Sequence, residues 1–284
     1  MSFINNLSVT AIILTKDRPD YLKQSFNSVL NQTVLPEQII IIDDGSTLEY
    51  DWEAYKTRFH NLVIKRFDEV KGANYCRNHG VSAAKSKIVA FLDDDDAWKL
   101  NYMHTAIEQY KTSSKIVGTT CGKEIMDSDG RLVINSKSFV VEEELKKGNT
   151  YCGMSGVTVL KDVALKIPFD NDLPNGQDWD FFVRVVQAGL CLKNIPIALY
   201  DYRIGTDGGI TQRLKEMRPE AAENRLLSAA KHRAWLGERA YRTRVIIQLL
   251  RGLKTRQYKS GWVRLAVKHA GLLATLQFLL FRKT

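Results

Sequence analysis

The sequence predicts an α/β fold with a mainly parallel central sheet and flanking helices, followed by a basic helical region. Short β-branched runs alternate with helical segments over the first hundred residues, a rhythm typical of parallel strands joined by right-handed crossovers. After residue 209 the composition becomes basic, helix-forming and free of strand patterns. We therefore expect an α/β domain over residues 1–209 and a helical region over residues 210–284, a division that suits a chain of 284 residues.

Each element is predicted from local residue patterns. Four apolar runs of the first hundred residues are predicted strands: Ser8–Leu14, Gln38–Ile42, Leu62–Ile64 and Ile88–Leu92. Helices are predicted between them, beginning at Pro19 and covering Trp52–Arg58 and Asn74–Ala84. The proline fits a helix start because its missing N–H costs nothing in the first turn. Further along, strands are predicted at Ile116–Cys121, Val157–Leu160 and Ala198–Arg203, and a helix at Trp179–Ala188.

The net charge of +9 is concentrated in the helical region. Residues 210–284 contain 17 lysines and arginines against four acids, a net of +13, so the first 209 residues carry −4. A basic region of this kind calls for an anionic partner, either a membrane surface or a nucleic acid. Nucleic-acid binding would require aromatic residues interleaved with the basic ones on an exposed platform, for which the sequence gives little. We therefore expect no nucleic-acid partner.

The helical region is predicted to form amphipathic helices. Helical patterning dominates Arg213–Arg256, and a second helix is predicted over Trp262–Phe281, with only a narrow polar strip of Arg264, Lys268 and Thr275. Such a helix must bury its surface against the rest of the protein, against a second subunit, or in a membrane interface. The excess of cations favours an anionic membrane surface, because each Lys or Arg near anionic lipid contributes about 1 kcal/mol.

Cysteine usage and hydropathy indicate a cytoplasmic protein. The apolar run Val9–Leu14 has six residues and no basic segment before it, so we interpret it as a strand and not as a signal peptide. No stretch reaches the ~20 apolar residues that span a bilayer. The cysteines are scattered without a C-x-x-C pair and are interpreted as reduced structural thiols. They are Cys76, Cys121, Cys152 and Cys191.

Four consecutive aspartates, Asp93–Asp96, follow directly on the predicted strand Ile88–Leu92. Adjacent carboxylates repel one another unless a cation neutralises them, and ligands of open α/β sheets bind at the carboxyl ends of the strands. Hard cations such as Mg²⁺ or Mn²⁺ take carboxylate oxygens and commonly complete their shell with phosphate. The alternative is a solvated acidic loop, which is less favoured because the run stands between a buried strand and Trp98.

Two other predicted strands also end in polar residues. Asp43–Ser46 ends the second strand, where a carboxylate can accept hydrogen bonds from a base or a ribose, although these residue types also favour plain turns. Thr15 ends the first strand and Arg18 follows it, so Thr15 can contact a base or ribose and Arg18 a phosphate. Arg77 lies on the helix leading into the acidic strand, where it can pair with a carboxylate or a nucleotide, or form a surface salt bridge.

Asp178 falls at a junction between a loop and a predicted helix. An acid at such a position often caps the helix. Capping and catalysis are compatible, because a capping carboxylate is held in a fixed direction.

Taken together, in this order and at this spacing, these motifs resemble the family-two inverting glycosyltransferases, which have the GT-A fold. The resemblance covers roughly Ser8 to Arg203. The matching segments are Arg18–Leu22, Ser28–Thr33, Ile42–Ser46, Arg77–Gly80, Phe91–Trp98 and Gln177–Asp180, with Arg184 and Gly189. The resemblance implies an enzyme that transfers a sugar from a nucleoside diphosphate sugar, with UDP-sugar favoured. The acceptor would be a glycan or lipid-linked hydroxyl in bacterial surface polysaccharide biosynthesis, at the inner face of the cytoplasmic membrane.

The resemblance also implies roles for individual residues. The nucleotide-binding residues would be Thr15, Arg18, Asp44, Arg77 and Asp94. Among them Asp44 would contact the base. Asp93 and Asp95 would hold Mn²⁺ or Mg²⁺, with Asp95 as the direct ligand. Asp178 corresponds to the general base that deprotonates the acceptor hydroxyl. The residues in contact with the donor or acceptor sugar would be Trp98, Gln177 and Trp179.

Two positions depart from the family pattern. Gln177 stands where the family usually has Glu, and Gly205 stands where it has a His that can complete the metal shell. Asp207 or water would have to replace that His. The departures leave open a second interpretation, a catalytically lapsed nucleotide-sugar-binding protein peripheral to a membrane, which the intact aspartates oppose. A nucleotidyltransferase is disfavoured because no Gly-rich phosphate loop follows the first strand.

Overall fold

The computed structural model describes residues 7–126, 128–205 and 217–281. The strands are β1 (Val9–Thr15), β2 (Gln38–Asp43), β3 (Leu62–Arg66), β4 (Ile88–Asp93), β5 (Ala97–Trp98), β6 (Ile116–Ile125), β7 (Leu132–Val133), β8 (Thr158–Leu160) and β9 (Cys191–Tyr202). The first helices are α1 (Pro19–Leu30), α2 (Trp52–Lys56), α3 (Ala73–Ala83), α4 (Tyr102–Thr112), α5 (Glu142–Lys147), α6 (Lys161–Lys166) and α7 (Gln177–Gln187). Beyond residue 217 they are α8 (Leu227–Lys231), α9 (Arg233–Leu250), α10 (Lys259–Ala270) and α11 (Leu272–Phe281).

The strands form one sheet in the order β3-β2-β1-β4-β8-β6-β9-β5, with β7 beside β6. β1 pairs in parallel with β2 and β4, and β2 pairs in parallel with β3. The predicted α/β fold is therefore confirmed. Among the described strands, the remaining parallel pair is β6 with β9. β8 lies between β4 and β6 and runs antiparallel to both.

The central strands are buried because helices cover them. Every residue of β1 and β2 is buried, as expected for apolar strands of a parallel sheet. Leu22 and Phe26 of α1 are fully buried in the same core. Gly80 of α3 packs closely on the sheet, since a Cβ atom placed there would lie 2.6 Å from Cγ2 of Ile12. Close packing of this kind fixes α3 relative to β1.

The helices beyond residue 217 share the core of the α/β part. Leu236, Tyr241 and Val245 of α9 and Trp262 of α10 belong to the same cluster of buried apolar residues as Trp179 of α7. This packing was one of the alternatives left open by the sequence. The predicted boundary between residues 209 and 210 lies outside the described residues and stays a prediction.

The prediction of one continuous helix over Trp262–Phe281 is wrong. The chain breaks at Gly271, whose φ of +90° is a conformation that favours glycine. The polar strip assigned to that helix is also interrupted, because Thr275 is fully buried and donates its hydroxyl to the carbonyl of Gly271 at 2.8 Å.

The last described helix, α11, exposes several large apolar side chains. Leu272, Leu273, Leu280 and Phe281 are 61%, 72%, 74% and 83% exposed. Within the described ranges, no helix combines the length and the apolar character required to cross a membrane.

Candidate active site

The carboxyl ends of β1, β2 and β4 meet at one edge of the sheet. The strand register places Thr15 beside Asp43 and Leu14 beside Asp93. The polar residues that follow these strands therefore come together, as the parallel arrangement requires.

Asp94 organises the loop after β1. Its Oδ2 accepts hydrogen bonds from the hydroxyl of Thr15 at 2.9 Å and from the backbone N–H of Lys16 at 3.3 Å, and its Oδ1 accepts from Nη1 of Arg18 at 3.2 Å. Burial and the charge of Asp95 raise the pKa of Asp94 to about 7, although Arg18 acts in the opposite direction. The structure thus brings together three residues that the sequence predicted to bind the nucleotide.

Asp93 and Asp95 are the two aspartates of the run that keep appreciable solvent contact, with side chains 36% and 22% exposed. Asp93 pairs with Arg77 at 2.6 Å, and Asp95 pairs with Arg18 at 3.0 Å. Among the residues that the structure describes, no group of three or more His, Cys, Asp and Glu side chains is arranged to hold a metal ion. The oxygen donors of these two carboxylates nevertheless fit a hard cation, so a bound Mn²⁺ or Mg²⁺ would be held by Asp93 and Asp95.

The fourth aspartate, Asp96, does not share this environment. It is 3% exposed, and it accepts hydrogen bonds from the hydroxyl of Ser155 at 2.6 Å and from the backbone N–H of Arg203 at 3.1 Å. Burial and the charges of Asp93 and Asp95 raise the pKa of Asp96 well above its usual value. Asp96 therefore connects the end of β4 to the end of β9.

Asp44 lies at the end of β2, where the sequence predicted a contact with the nucleotide base. Its carboxylate accepts from the backbone N–H groups of Lys71 at 2.6 Å and of Gly72 at 3.0 Å. These bonds hold the turn that leads into α3. The side chain of Asp44 is partly exposed, so it can both hold the turn and face a ligand.

Arg77 of α3 reaches the same edge of the sheet and is 3% exposed. One guanidinium nitrogen, Nη2, pairs with Asp93. Within the described part of the chain, Nε and Nη1 are buried and have no hydrogen-bond partner. Buried donors without an acceptor cost about 1–3 kcal/mol each, and a phosphate oxygen would remove that cost.

Asp178 lies in the first turn of α7, as the sequence predicted, but the capping position belongs to Gly176. Burial raises the pKa of Asp178 to about 6, and the charge of Asp93 adds to this, whereas Arg77 and Lys123 lower it. A carboxylate with this pKa is ionised at neutral pH and is a stronger base than an exposed aspartate. The charges of Arg77 and of Asp93, the last residue of β4, are thus part of the electrostatic environment of Asp178.

Lys123 of β6 is a site residue that the sequence analysis missed. Its ammonium lies 3.7 Å from the ring centroid of Tyr202. Burial lowers the pKa of Lys123, and the charges of Cys152, Asp96 and Asp178 act against that lowering. The sequence offers only a single lysine two residues after the predicted strand Ile116–Cys121, a signal too weak to assign a role.

The contact of Trp98 and Trp179 with a sugar, which the resemblance implies, stays a prediction, and both indoles already have partners within the protein. The two side chains are 4% and 1% exposed, and each donates its indole N–H to a backbone carbonyl at 2.7 Å. Trp98 also stacks on Tyr102, with ring centroids 4.5 Å apart. Gln177 is the first residue of α7 and is partly exposed, so its contact with a sugar stays a prediction.

The C-terminal helices contact the start of α7 through Asp180. This residue follows Asp178 by two positions and is fully buried. Oδ1 of Asp180 lies 2.7 Å from Nε2 of His232 and 2.8 Å from Nζ of Lys231, and Oδ2 accepts from Nε of Arg184 at 2.8 Å. Burial alone would raise the pKa of Asp180, but the hydrogen bonds from His232 and Lys231 outweigh it and lower the pKa to about 2. We call these four residues, Asp180, Arg184, Lys231 and His232, the α7 clamp.

The comparisons with known proteins assign this fold and its candidate site to a family of enzymes. The chain belongs to glycosyl transferase family 2, whose sequence pattern matches residues 10–163. This match includes the aspartates after β2 and β4 as well as Arg77, but it ends before Asp178.

Several glycosyltransferases are similar to this chain. An uncharacterised glycosyltransferase of Nostoc sp. is 29% identical over 181 residues, which span 58% of this chain and 54% of the Nostoc protein. TuaG of Bacillus subtilis, named for teichuronic acid biosynthesis, is 26% identical over 205 residues, 69% of this chain and 79% of TuaG. The Escherichia coli UDP-Glc:alpha-D-GlcNAc-diphosphoundecaprenol beta-1,3-glucosyltransferase WfgD is 22% identical over 214 residues, 74% of this chain and 82% of WfgD. The chain thus spans only about half the length of the Nostoc relative.

A solved structure also resembles the protein. Residues 1–349 of S. aureus TarS in complex with UDP-GlcNAc superpose with a TM-score of 0.63 at 15% sequence identity, covering 96% of this chain and 73% of the TarS chain. At this identity the likeness concerns the fold alone. It confirms the predicted GT-A architecture.

Proposed function

We propose that this protein is an inverting glycosyltransferase that uses a nucleoside diphosphate sugar, with UDP-sugar favoured, in bacterial surface polysaccharide biosynthesis. The acceptor would be a hydroxyl of a glycan or lipid-linked sugar. The observation that carries the proposal is the partly enclosed carboxylate of Asp178, with a pKa of about 6, near Arg77 and Asp93. The proposed substrates are supported by the UDP-GlcNAc in the TarS complex and by the UDP-Glc donor and lipid-diphosphate acceptor in the name of WfgD.

In the proposed step, Asp178 takes the proton of the acceptor hydroxyl while the hydroxyl oxygen forms a bond to the anomeric carbon. The bond from that carbon to the diphosphate oxygen breaks on the opposite face, and the diphosphate leaves with the bonding electrons. Configuration at the anomeric carbon is therefore inverted. The buried N–H groups of Arg77 would donate to the diphosphate and stabilise its growing charge. A divalent cation held by Asp93 and Asp95 would supply Lewis-acid stabilisation of the same charge.

The second interpretation is a catalytically lapsed protein that still binds a nucleotide sugar at a membrane surface. Its support is the pair of departures from the family pattern, Gln177 and Gly205. Asp207, which together with water was one of the two alternatives for replacing the missing His, lies outside the described residues. The retained aspartates Asp44, Asp95 and Asp178 argue against loss of catalysis.

A donor screen with a base variant tests the proposal. Sugar transfer and hydrolysis would be measured with uridine, guanosine and thymidine diphosphate sugars, with and without Mn²⁺. Asp178→Asn is expected to lower transfer by a factor of about 10²–10⁴ while calorimetric affinity for the nucleotide stays unchanged. Asp172→Asn changes an exposed aspartate of the preceding loop and is the matched control. Full activity in Asp178→Asn would refute the base assignment, and nucleotide binding without any turnover in the wild type would favour the lapsed protein.

We also propose a peripheral location at the inner face of the cytoplasmic membrane, mediated by the C-terminal helices. The support is the exposed apolar surface of α11, defined by Leu272, Leu273, Leu280 and Phe281. The neighbouring α9 and α10 carry exposed cations such as Arg242 and Lys268. An apolar helix beside cations is the arrangement that binds an anionic membrane interface.

The membrane proposal is tested by removing α11 alone. A chain ending at Ala270 keeps the buried Trp262, so the core should remain intact. We expect this chain to sediment less than the full chain with liposomes that contain anionic lipid, and we expect binding of the full chain to weaken as salt rises. Leu48→Ser changes an exposed leucine far from α11 in sequence and serves as a control for apolar exposure. Equal sedimentation of the shortened and full chains would refute the anchor.

A further inference from the structure

A cavity of about 590 Å³ lies between the segment that follows α5 and the C-terminal half of α9. None of the active-site residues described above lines it. Its basic side chains are Lys147, Arg244 and Arg251, and Asn149 and Thr150 add polar groups. Among the described residues, no aspartate or glutamate lines this cavity.

Arg244 is the unusual member of this set. It is only 9% exposed, and among the described residues its guanidinium forms no hydrogen bond or ion pair, with Nε fully buried and without a partner. Burial lowers the pKa of Arg244 to about 9. A buried charge without a counterion is costly, and an anion in the cavity would remove that cost.

The known contacts of Arg244 do not supply that anion. Its guanidinium carbon lies 3.4 Å from the ring centroid of Trp179, and a cation–π contact leaves the N–H groups without acceptors. Lys147 is already paired with Glu144 at 2.7 Å. Arg251 is exposed at the cavity and has no ion pair within the described part of the chain. Arg244 and Arg251 are therefore the two charges available to a ligand.

We propose that this cavity binds the phosphate group of a lipid, with Arg244 and Arg251 as its counterions. A guanidinium donates two parallel hydrogen bonds to phosphate oxygens, a geometry that suits this anion. The hydroxyl of Thr150 accepts from the amide of Asn135 at 2.9 Å, so its O–H is a further donor at the same wall.

The apolar part of the ligand follows from the helix next to the cavity. Ile247 and Phe278 line the same cavity, and Phe278 belongs to α11. Phe278 also lines a neighbouring cavity, together with Leu273 and Phe281 of the same helix, and Leu273 is 72% exposed. A phosphate in the cavity with an attached hydrocarbon chain along α11 would cover both the unpaired arginines and this apolar surface.

The inference is tested by calorimetric titration of the full chain with two soluble probes, inorganic phosphate and dihexanoyl phosphatidic acid below its micelle concentration. The variants are Arg244→Gln and Arg251→Gln. Arg264→Gln removes the same charge from an exposed position on α10 and is the matched control. Because Arg251 is exposed, its variant tests the site even if Arg244→Gln folds poorly. The short-chain lipid is a soluble monomer, so the result depends neither on bilayer binding by α11 nor on sugar transfer.

We expect the lipid phosphate to bind the wild type and Arg264→Gln equally, and to bind the two cavity variants at least about tenfold more weakly, the loss expected for charged hydrogen bonds. Inorganic phosphate should compete for the site with lower affinity. Failure of the lipid phosphate to bind the wild type would overturn the proposal. Equal binding by Arg251→Gln and Arg264→Gln would overturn the assigned site. Equal affinity for inorganic phosphate and the lipid would overturn the assignment of a lipid.

Discussion

The pH dependence of transfer should report the environment of Asp178. Its pKa of about 6 results mainly from burial and is lowered by the charges of Arg77 and Lys123. The base is active only when ionised, so transfer should fall as the pH drops through about 6. Replacing Lys123 by methionine removes one stabilising charge while keeping much of the apolar stem. The pKa of Asp178 should then rise, and the acidic limb of the rate profile should move to higher pH.

The size of the rate change between pH 7 and pH 5 distinguishes a buried Asp178 from an ordinary surface aspartate. With a pKa of about 6, about 90% of Asp178 is ionised at pH 7 and about 10% at pH 5, so the rate should fall about ninefold to tenfold between them. With the ordinary value of 3.8, more than about 90% would still be ionised at pH 5 and the rate would barely change.

The assay is the rate at saturating donor and acceptor between pH 5 and 8, in buffers of constant ionic strength. Saturation matters because Asp94, with a pKa of about 7, holds the loop that binds the donor, and its protonation would otherwise alter the apparent rate. Lys115→Met removes an exposed lysine near the start of β6 and is the control for net charge. A wild-type rate that stays flat down to pH 5 would refute the assigned environment. An acidic limb that stays in place or moves to lower pH in Lys123→Met would refute the role of Lys123.

Three further predictions follow from particular contacts. Asp180→Ala should lower the free energy of unfolding by about 1.5–3 kcal/mol, because the partly exposed cations Arg184 and Lys231 lose their hydrogen bonds to a buried carboxylate. Chemical denaturation would measure this, and an unchanged midpoint would contradict it. Gly80→Ala should lower the free energy of unfolding by about 1–3 kcal/mol, because the added Cβ would lie 2.6 Å from Cγ2 of Ile12. Chemical denaturation would measure this as well, and a stability equal to that of the wild type would contradict close packing of α3 on β1. Asp95→Asn should weaken nucleotide binding, measured by calorimetry, only when Mn²⁺ or Mg²⁺ is present. An affinity that falls equally without metal would instead point to the ion pair of Asp95 with Arg18. Asp68→Asn changes an exposed aspartate and is the control.

The parts of the site that lie in consecutive residues were predictable from the sequence. Asp44 and Asp93 each follow an apolar run, and parallel strands necessarily bring such ends to one edge of the sheet. The position of Asp178 in the first turn of α7 followed from the helical pattern after it. These predictions rest on local periodicity, which a single sequence reports well.

The contacts between distant residues were not predictable in this way. His232 meets Asp180 across 52 residues, and Asp96 meets Ser155 across 59. The sequence also does not show which side of a tryptophan is covered, and the structure buries both Trp98 and Trp179. The break at Gly271 was missed because an isolated glycine is tolerated within a helical pattern.

The α7 clamp has a consequence for recombination between relatives. The helix that carries Asp178 is anchored by a side chain from the C-terminal helices, so the two parts of the chain are not independent modules. A chimaera joined between Arg184 and Lys231 would combine Asp180 from one parent with whatever the other parent has at position 232. Unless that residue can hydrogen-bond a buried carboxylate, α7 loses one of its supports. Grafting a foreign C-terminal region onto this α/β domain therefore requires the exchange of Asp180 and His232 as a pair.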